Sequence, residues 1–189
     1  MRDELLGATQ PMLSVVLDPG ESVIGEASRF AWMTDSIEMA AADETGVWVY
    51  TAAGEPGVVA FAAQRPGRIV SVQVSHGDEG YLFSRSDFVA RTPGVQVRAD
   101  PAESGLGLWR IGGCGQAWVE LAGDVVRREL TAGQSLRARP EHVGMFDGTI
   151  AIQVTQVHGT PSQNNGYLCA VLSGPGAVWL QSMPSAAEQ

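Results

Sequence analysis

The chain is poor in the residues that most often carry chemistry. Two cysteines among 189 residues cannot build a disulfide framework, and neither Cys114 nor Cys169 stands in a pair with metal-ligand spacing, so both are expected as reduced thiols. The three histidines, His76, His142 and His158, form no HxH or HxxxH pair. Basic residues are few: 12 against 21 acidic ones give a formal charge of -9, which opposes accumulation on phosphate backbones and excludes nucleic acid as a general partner. No run of about 18 apolar residues occurs, so neither a membrane-spanning helix nor membrane insertion is expected. The opening MRDELLGATQPMLSVVL is acidic at its start and lacks the apolar stretch of a secretory signal, which leads to the expectation of a cytoplasmic protein.

Sustained helical periodicity is missing as well. What the chain has instead is short apolar runs punctuated by 23 glycines and 10 prolines, in a sequence that is 44% hydrophobic. Ile69, Val70, Val72 and Val74 leave Ser71, Gln73 and Ser75 for the other face, and Val95 and Val97 alternate with Gln96 and Arg98, the two-residue period of half-buried strands. AGEPG at 53–57 and Pro66-Gly67 read as turns and HGDEG at 76–80 as a polar link; DPAESGLG at 100–107 and TPSQNNG at 160–166 read as loops. Ala40 to Glu44 is open between a helical turn and a loop. The pattern predicts an all-β fold, an antiparallel β-sandwich or a double-stranded β-helix-like barrel, in a single domain over 1–189 with a frayed tail at 184–189.

Two internal echoes organise the chain. Shifted by 113 residues, Leu17–Ile37 lies over Leu130–Ile150 without a gap, matching Gly20 to Gly133 and Ser22 to Ser135. Shifted by 61, Leu108–Leu121 lies over Cys169–Ser182, matching Gly113 to Gly174, Gly115 to Gly176 and Trp118 to Trp179. Internal pseudo-repeats with units near 12–100 and 108–183 are the expectation. Gly20, Gly113, Gly115, Gly133, Gly174, Pro175 and Gly176 are assigned as structural turn residues, with a hairpin at each glycine-rich corner. Trp118 and Trp179 are the anchors, of a core or of a protein interface.

The catalytic inventory is thin. Glu141 or Asp147 could join the histidines on a metal, yet each histidine lies beside a turn. Ser84 or Ser173 could seed a nucleophile, but no GxSxG elbow precedes a helix. Gly112–Gly115 and Gly174–Gly176 lack the helix and lysine of a phosphate loop. Trp48 and Trp109 fall in strand-like runs, and Arg127, Arg128, Arg137 and Arg139 could form a small basic patch beside Glu129. No catalytic residue, metal ligand or cofactor is assigned.

At LSGPGAVWLQSMP (Leu172–Pro184), LDPGESVIGEA near the start and FVARTPGVQVR in the middle, the chain resembles the altered inheritance of mitochondria protein family, in its bacterial branch. The resemblance is carried first by Pro19, Gly20, Glu21, Glu26 and Met33, then by Pro66, Gly67 and Ile69. It continues through Gly113, Gly115, Gly123, Asp124, Gly133 and Leu136, and closes with Gly174, Pro175, Gly176, Val178, Trp179, Gln181 and Ser182. Glu38–Ala63 is shorter than the family's usual glycine-rich insert. The resemblance implies a barrel-like β fold of the trp attenuation protein type with internal pseudo-symmetry, and almost no biochemistry. The expected function is a structural or protein-interaction module, with a second copy of the chain or another protein as its partner. The alternative is a small-molecule or metal-binding cavity of cupin-like type.

Overall fold

The computed structural model describes residues 1–42, 46–101, 106–157 and 167–184. His158, the loop expected at 160–166, residues 102–105 of the 100–107 loop, part of the Ala40–Glu44 stretch and all but the first residue of the 184–189 tail lie outside the described residues.

After β1 (Arg2–Leu6), one order of strands is run through three times. The first pass comprises β2 (Met12–Leu17), β3 (Ser22–Glu26), β4 (Phe30–Met33), β5 (Ile37–Ala41), β6 (Val47–Ala52) and β7 (Gly57–Ala62). The second is β8 (Gly67–Val74), β9 (Tyr81–Ser84), β10 (Phe88–Arg91), β11 (Val95–Ala99), β12 (Leu108–Gly113) and β13 (Gly115–Ala122). The third is β14 (Val125–Leu130), β15 (Ser135–Ala138), β16 (Val143–Asp147), β17 (Ala151–Val157), β18 (Tyr167–Ser173) and β19 (Gly176–Gln181). In every pass a single 3₁₀ turn, Ala27–Arg29, Arg85–Asp87 or Pro140–His142, precedes the third strand.

Local chemistry repeats with the strands. Asp18–Glu21, Ser75–Asp78 and Thr131–Gln134 each close a tight turn by a backbone bond from the fourth residue to the first carbonyl. The fourth side chain returns the bond: Glu21 accepts from the Asp18 N–H, Asp78 from Ser75 and Gln134 from Thr131, at 2.9, 2.7 and 2.9 Å. The third residue is glycine each time, Gly20, Gly77 and Gly133, with φ of +83, +91 and +84°, a conformation in which a Cβ is strained.

Pairing is antiparallel throughout and yields four open sheets. Sheet 1 is β1-β2-β7-β4, sheet 2 is β5-β6-β3-β10-β13-β8, sheet 3 is β11-β12-β9-β16-β19-β14 and sheet 4 is β15-β18-β17. Sheets 2 and 3 each join two passes: β3 bonds to β10, and β9 bonds to β16. Three buried clusters lie between successive sheets. Core 1 holds Leu13 and Phe61 from sheet 1 with Tyr50 and Trp118 from sheet 2; core 2 holds Val72 and Val119 from sheet 2 with Phe83 and Met145 from sheet 3. Core 3 holds Phe146 and Val178 from sheet 3 with Ala170 and Leu172 from sheet 4. The two-residue period lets one strand serve two cores, Trp118 facing one and Val119 the other.

Three expectations change. The body is a sandwich-like all-β stack with pseudo-repeats, and its sheets do not close, so the barrel alternative is not the one that forms. The pairing pattern divides the chain near 12–62, 67–122 and 125–181, so the shift of 113 relates the first pass to the third and the shift of 61 the second to the third, where two units had been expected. The glycine-rich corners are not hairpins. β12 and β13 lie in different sheets, as do β18 and β19, so Gly113–Gly115 and Gly174–Gly176 carry the chain from one layer to the next.

Candidate interaction surface

The strand junctions between passes are where the residues singled out in the sequence come together. Trp118, on β13, is fully buried in core 1, and its indole N–H donates to Asp3 of β1 at 3.1 Å. Trp179 holds the corresponding place on β19 and is half-buried against core 2, with Tyr81 edge-on at 5.9 Å and the Arg127 guanidinium 5.1 Å from the ring centroid. Each ring therefore reaches from its own pass into the core of the pass before it.

Beside Trp118 lies a buried charge network that the sequence reading missed. Glu120 pairs with Arg29 of the first pass and, at 2.8 Å, with Arg65 of the connecting segment, while accepting the backbone N–H of Gln64 at 2.7 Å and of Arg65 at 3.1 Å. Arg65 also pairs with Asp87, and Arg29 donates to the Ser86 carbonyl at 2.6 Å. Burial pushes the Glu120 carboxyl up, but Arg65, Arg29 and the Gln64 N–H together outweigh it and hold it below the usual range. Asp87 goes the other way: burial raises it beyond what Arg65 restores, and neighbouring Glu120 adds to the rise. The signal was a lone acid in the apolar run AWVELA, which needs cationic partners when buried. At the next junction Gln181 takes the place of Glu120, accepting the Ala122 N–H at 3.0 Å and donating to the Glu141 carbonyl at 3.1 Å. Apart from Asp87 Oδ2, which is buried without a hydrogen-bond partner, these donors and acceptors are engaged with one another, an arrangement suited to fastening passes together.

The remaining candidates are dispersed. His142 bonds through Nδ1 to the Gln181 carbonyl at 2.9 Å, and His76 is exposed. Ser84 pairs its hydroxyl with Ser86, and Ser173 pairs with Ser135. Asp147 accepts the Ala177 N–H at 2.7 Å. Among the described residues no group of three or more His, Cys, Asp or Glu side chains is arranged to hold a metal, so the cupin-like metal alternative gains no support. The arginines expected as a basic patch are partly neutralised: Arg127 pairs with Glu129 and Arg139 with Glu141, both at 2.7 Å. Trp48 and Trp109 are half-buried, the latter under the Arg85 guanidinium at 5.3 Å. Among the described residues no helix is long and apolar enough to cross a membrane.

What stays open is the outer end of the first pass. β10 and β16, the third strands of their passes, are enclosed by β3 and β9, and Ala90 and Met145 within them are fully buried. Among the described residues their counterpart β4 pairs only with β7 and presents an unpaired edge. The cross-strand pairs Ala90–Trp118 and Met145–Trp179 correspond here to Trp32–Ala60, so the first pass carries its tryptophan on the opposite strand of the pair. Trp32 is 42% exposed, and its indole N–H points to the Met12 sulfur at 3.3 Å. Met12 is paired in turn with Leu6, 40% exposed, so Trp32, Met12 and Leu6 share the outer face of sheet 1.

No curated protein matches the sequence. Among solved structures, the crystal structure of a Streptococcus pyogenes protein is similar over 97% of this chain and 94% of that one, with a TM-score of 0.80 at 16% identity, a likeness of fold. The same layered architecture is thus built by a very different sequence. The family described as Mitochondrial biogenesis AIM24 matches residues 4–183, and the chain belongs to that family.

Proposed function

We propose that this chain is a non-enzymatic β scaffold that acts by binding protein, and that the open end of sheet 1 is its binding surface. The observation that supports the reading is Trp32: a large aromatic, 42% exposed, on a strand with one unpaired edge among the described residues, whose two counterparts are each covered at that edge by a neighbouring strand. Unpaired strand edges are templates for further strands, and exposed aromatics flanking them supply the anchor such contacts need. The exposed free thiol of Cys114 suits a reducing compartment, so the proposed setting is the cytoplasm. Affinity capture with the wild-type protein and with Trp32→Glu side by side tests the reading. Partners recovered by the first and lost by the second are expected; identical recovery by both contradicts it.

A further inference from the structure

The stack has one core that lacks a piece the other two possess. Core 1 receives Trp118 from the second pass, and core 2 receives Trp179 from the third. Core 3, between sheets 3 and 4, holds no tryptophan among the described residues, and Leu136 and Ile152 at its margin are only partly buried. Trp32, on the outer face of sheet 1, is among the residues of none of the three cores. The edges match as well. At each internal junction the second strand of one pass bonds to the third strand of the next, β3 to β10 and β9 to β16. Among the described residues β15, the second strand of the last pass, pairs only with β18, and β4, the third strand of the first, pairs only with β7.

Resting on the interaction reading above, we propose that the partner of the β4 edge is a second copy of this chain, joined head to tail through β15, with Trp32 of one copy completing core 3 of the other. The internal junctions fix the register. Ala90 stands opposite Gly25 and Arg91 opposite Ile24 at the first; Met145 stands opposite Phe83 and Phe146 opposite Leu82 at the second. The corresponding residues place Trp32 opposite Ala138 and Met33 opposite Arg137. Ala138 is paired with Ala170, and Leu136 with Leu172, both buried in core 3. Because side chains directly opposite one another share a face, Trp32 in this register points into that core, as Trp118 points into core 1. The contact buries no charged residue opposite the ring, and β1 lies at the far edge of sheet 1, clear of β4. Such a contact is heterologous: it leaves one β4 and one β15 free in every pair of copies, so assembly continues until the ends meet or extends further.

The test uses full-length chains carrying Cys114→Ser to remove the exposed thiol. Met33→Cys and Arg137→Cys proteins are mixed in equal amounts and mildly oxidised, then compared with each variant oxidised alone. A disulfide dimer that forms in the mixture at roughly tenfold or greater yield than in either single-variant sample is expected. Equal yields in mixed and single samples, or no dimer in any, overturn the head-to-tail pairing. Light scattering over a concentration series provides the second readout. Mass that rises with concentration for the wild type and stays at one chain for Trp32→Glu and for Arg137→Pro supports the proposal, with circular dichroism confirming that both variants fold. A wild type that remains one chain at every concentration overturns it. In that case partners still lost on Trp32→Glu leave the interaction reading standing, and partners unaffected by the substitution remove both.

Discussion

Glu120 and Gln181 hold the same position in successive passes and make the same bond. Each accepts a backbone N–H from the end of the preceding pass, that of Gln64, two residues beyond β7, at 2.7 Å and that of Ala122, the last residue of β13, at 3.0 Å. The first pass carries Ala62 at the corresponding place. Removing the acceptor leaves a buried donor unpaired, so Gln181→Ala should cost about 1–3 kcal/mol and Glu120→Ala about 3–5 kcal/mol, because the latter also strands the buried Arg29. Denaturant unfolding of the two variants measures the difference; equal losses would contradict it.

The two carboxyls of the network respond to acid in opposite senses. Glu120 is held below its ordinary range, so its contribution is present above the unfolded value and is lost as the pH falls through the folded one. Asp87 is raised, so the folded chain holds its proton more tightly and acidification relieves a cost. Below about pH 5 the acid loss of stability should therefore be shallower in Glu120→Gln and steeper in Asp87→Asn than in the wild type. Urea unfolding at stepped pH reads both slopes, and slopes shifted in the same direction by the two substitutions would refute the opposition.

The two matched tryptophans should differ. Trp118 is fully enclosed and hydrogen-bonded, so Trp118→Ala should cost about 3–5 kcal/mol. Trp179 keeps part of its ring in solvent under Arg127, so Trp179→Ala should cost about 1–3 kcal/mol. Asp3→Ala should weaken the first site alone, since β1 supplies the acceptor for the Trp118 indole. Equilibrium unfolding at a fixed protein concentration compares the three; a Trp179→Ala loss as large as that of Trp118→Ala would contradict the assignment.

The thiols provide an independent check on the layering. Cys114 lies exposed at the corner between β12 and β13, whereas Cys169 is buried on β18. A thiol reagent should label one cysteine rapidly in the folded protein and the second only on unfolding, as intact-mass spectrometry would report. Rapid double labelling under native conditions would show sheet 4 to be open.

The turns were legible in the sequence because their chemistry is local. DPGE at 18–21 and TAGQ at 131–134 both place glycine third and an oxygen-bearing side chain fourth, and the shift of 113 brought them together. The middle pass escaped because its turn, SHGD, lacks the small or proline residue before its glycine and is followed by two residues, Glu79 and Gly80, before β9, where the other turns run straight into their strands. The corners at Gly113–Gly115 and Gly174–Gly176 were read as hairpins because two apolar runs around glycine look alike whether the second run folds back on the first or crosses to another sheet. Strand partners are chosen by contacts far along the chain, which residue spacing does not carry. SRFAWM, residues 28–33, has no clean two-residue period, and the structure supplies the reason: a 3₁₀ turn ends at Arg29 in mid-run, and β4 is an edge with one side unpaired among the described residues.

Amide hydrogen exchange resolved to single strands, followed as the protein concentration is raised, tests the scaffold account most directly. Amides of β10 and β16 should be protected at every concentration, because their partners belong to the same chain. The outward amides of β4 and β15 should exchange freely when dilute and become protected together as copies join. Protection of β4 without β15, or exchange at both edges that does not change with concentration, would contradict the account.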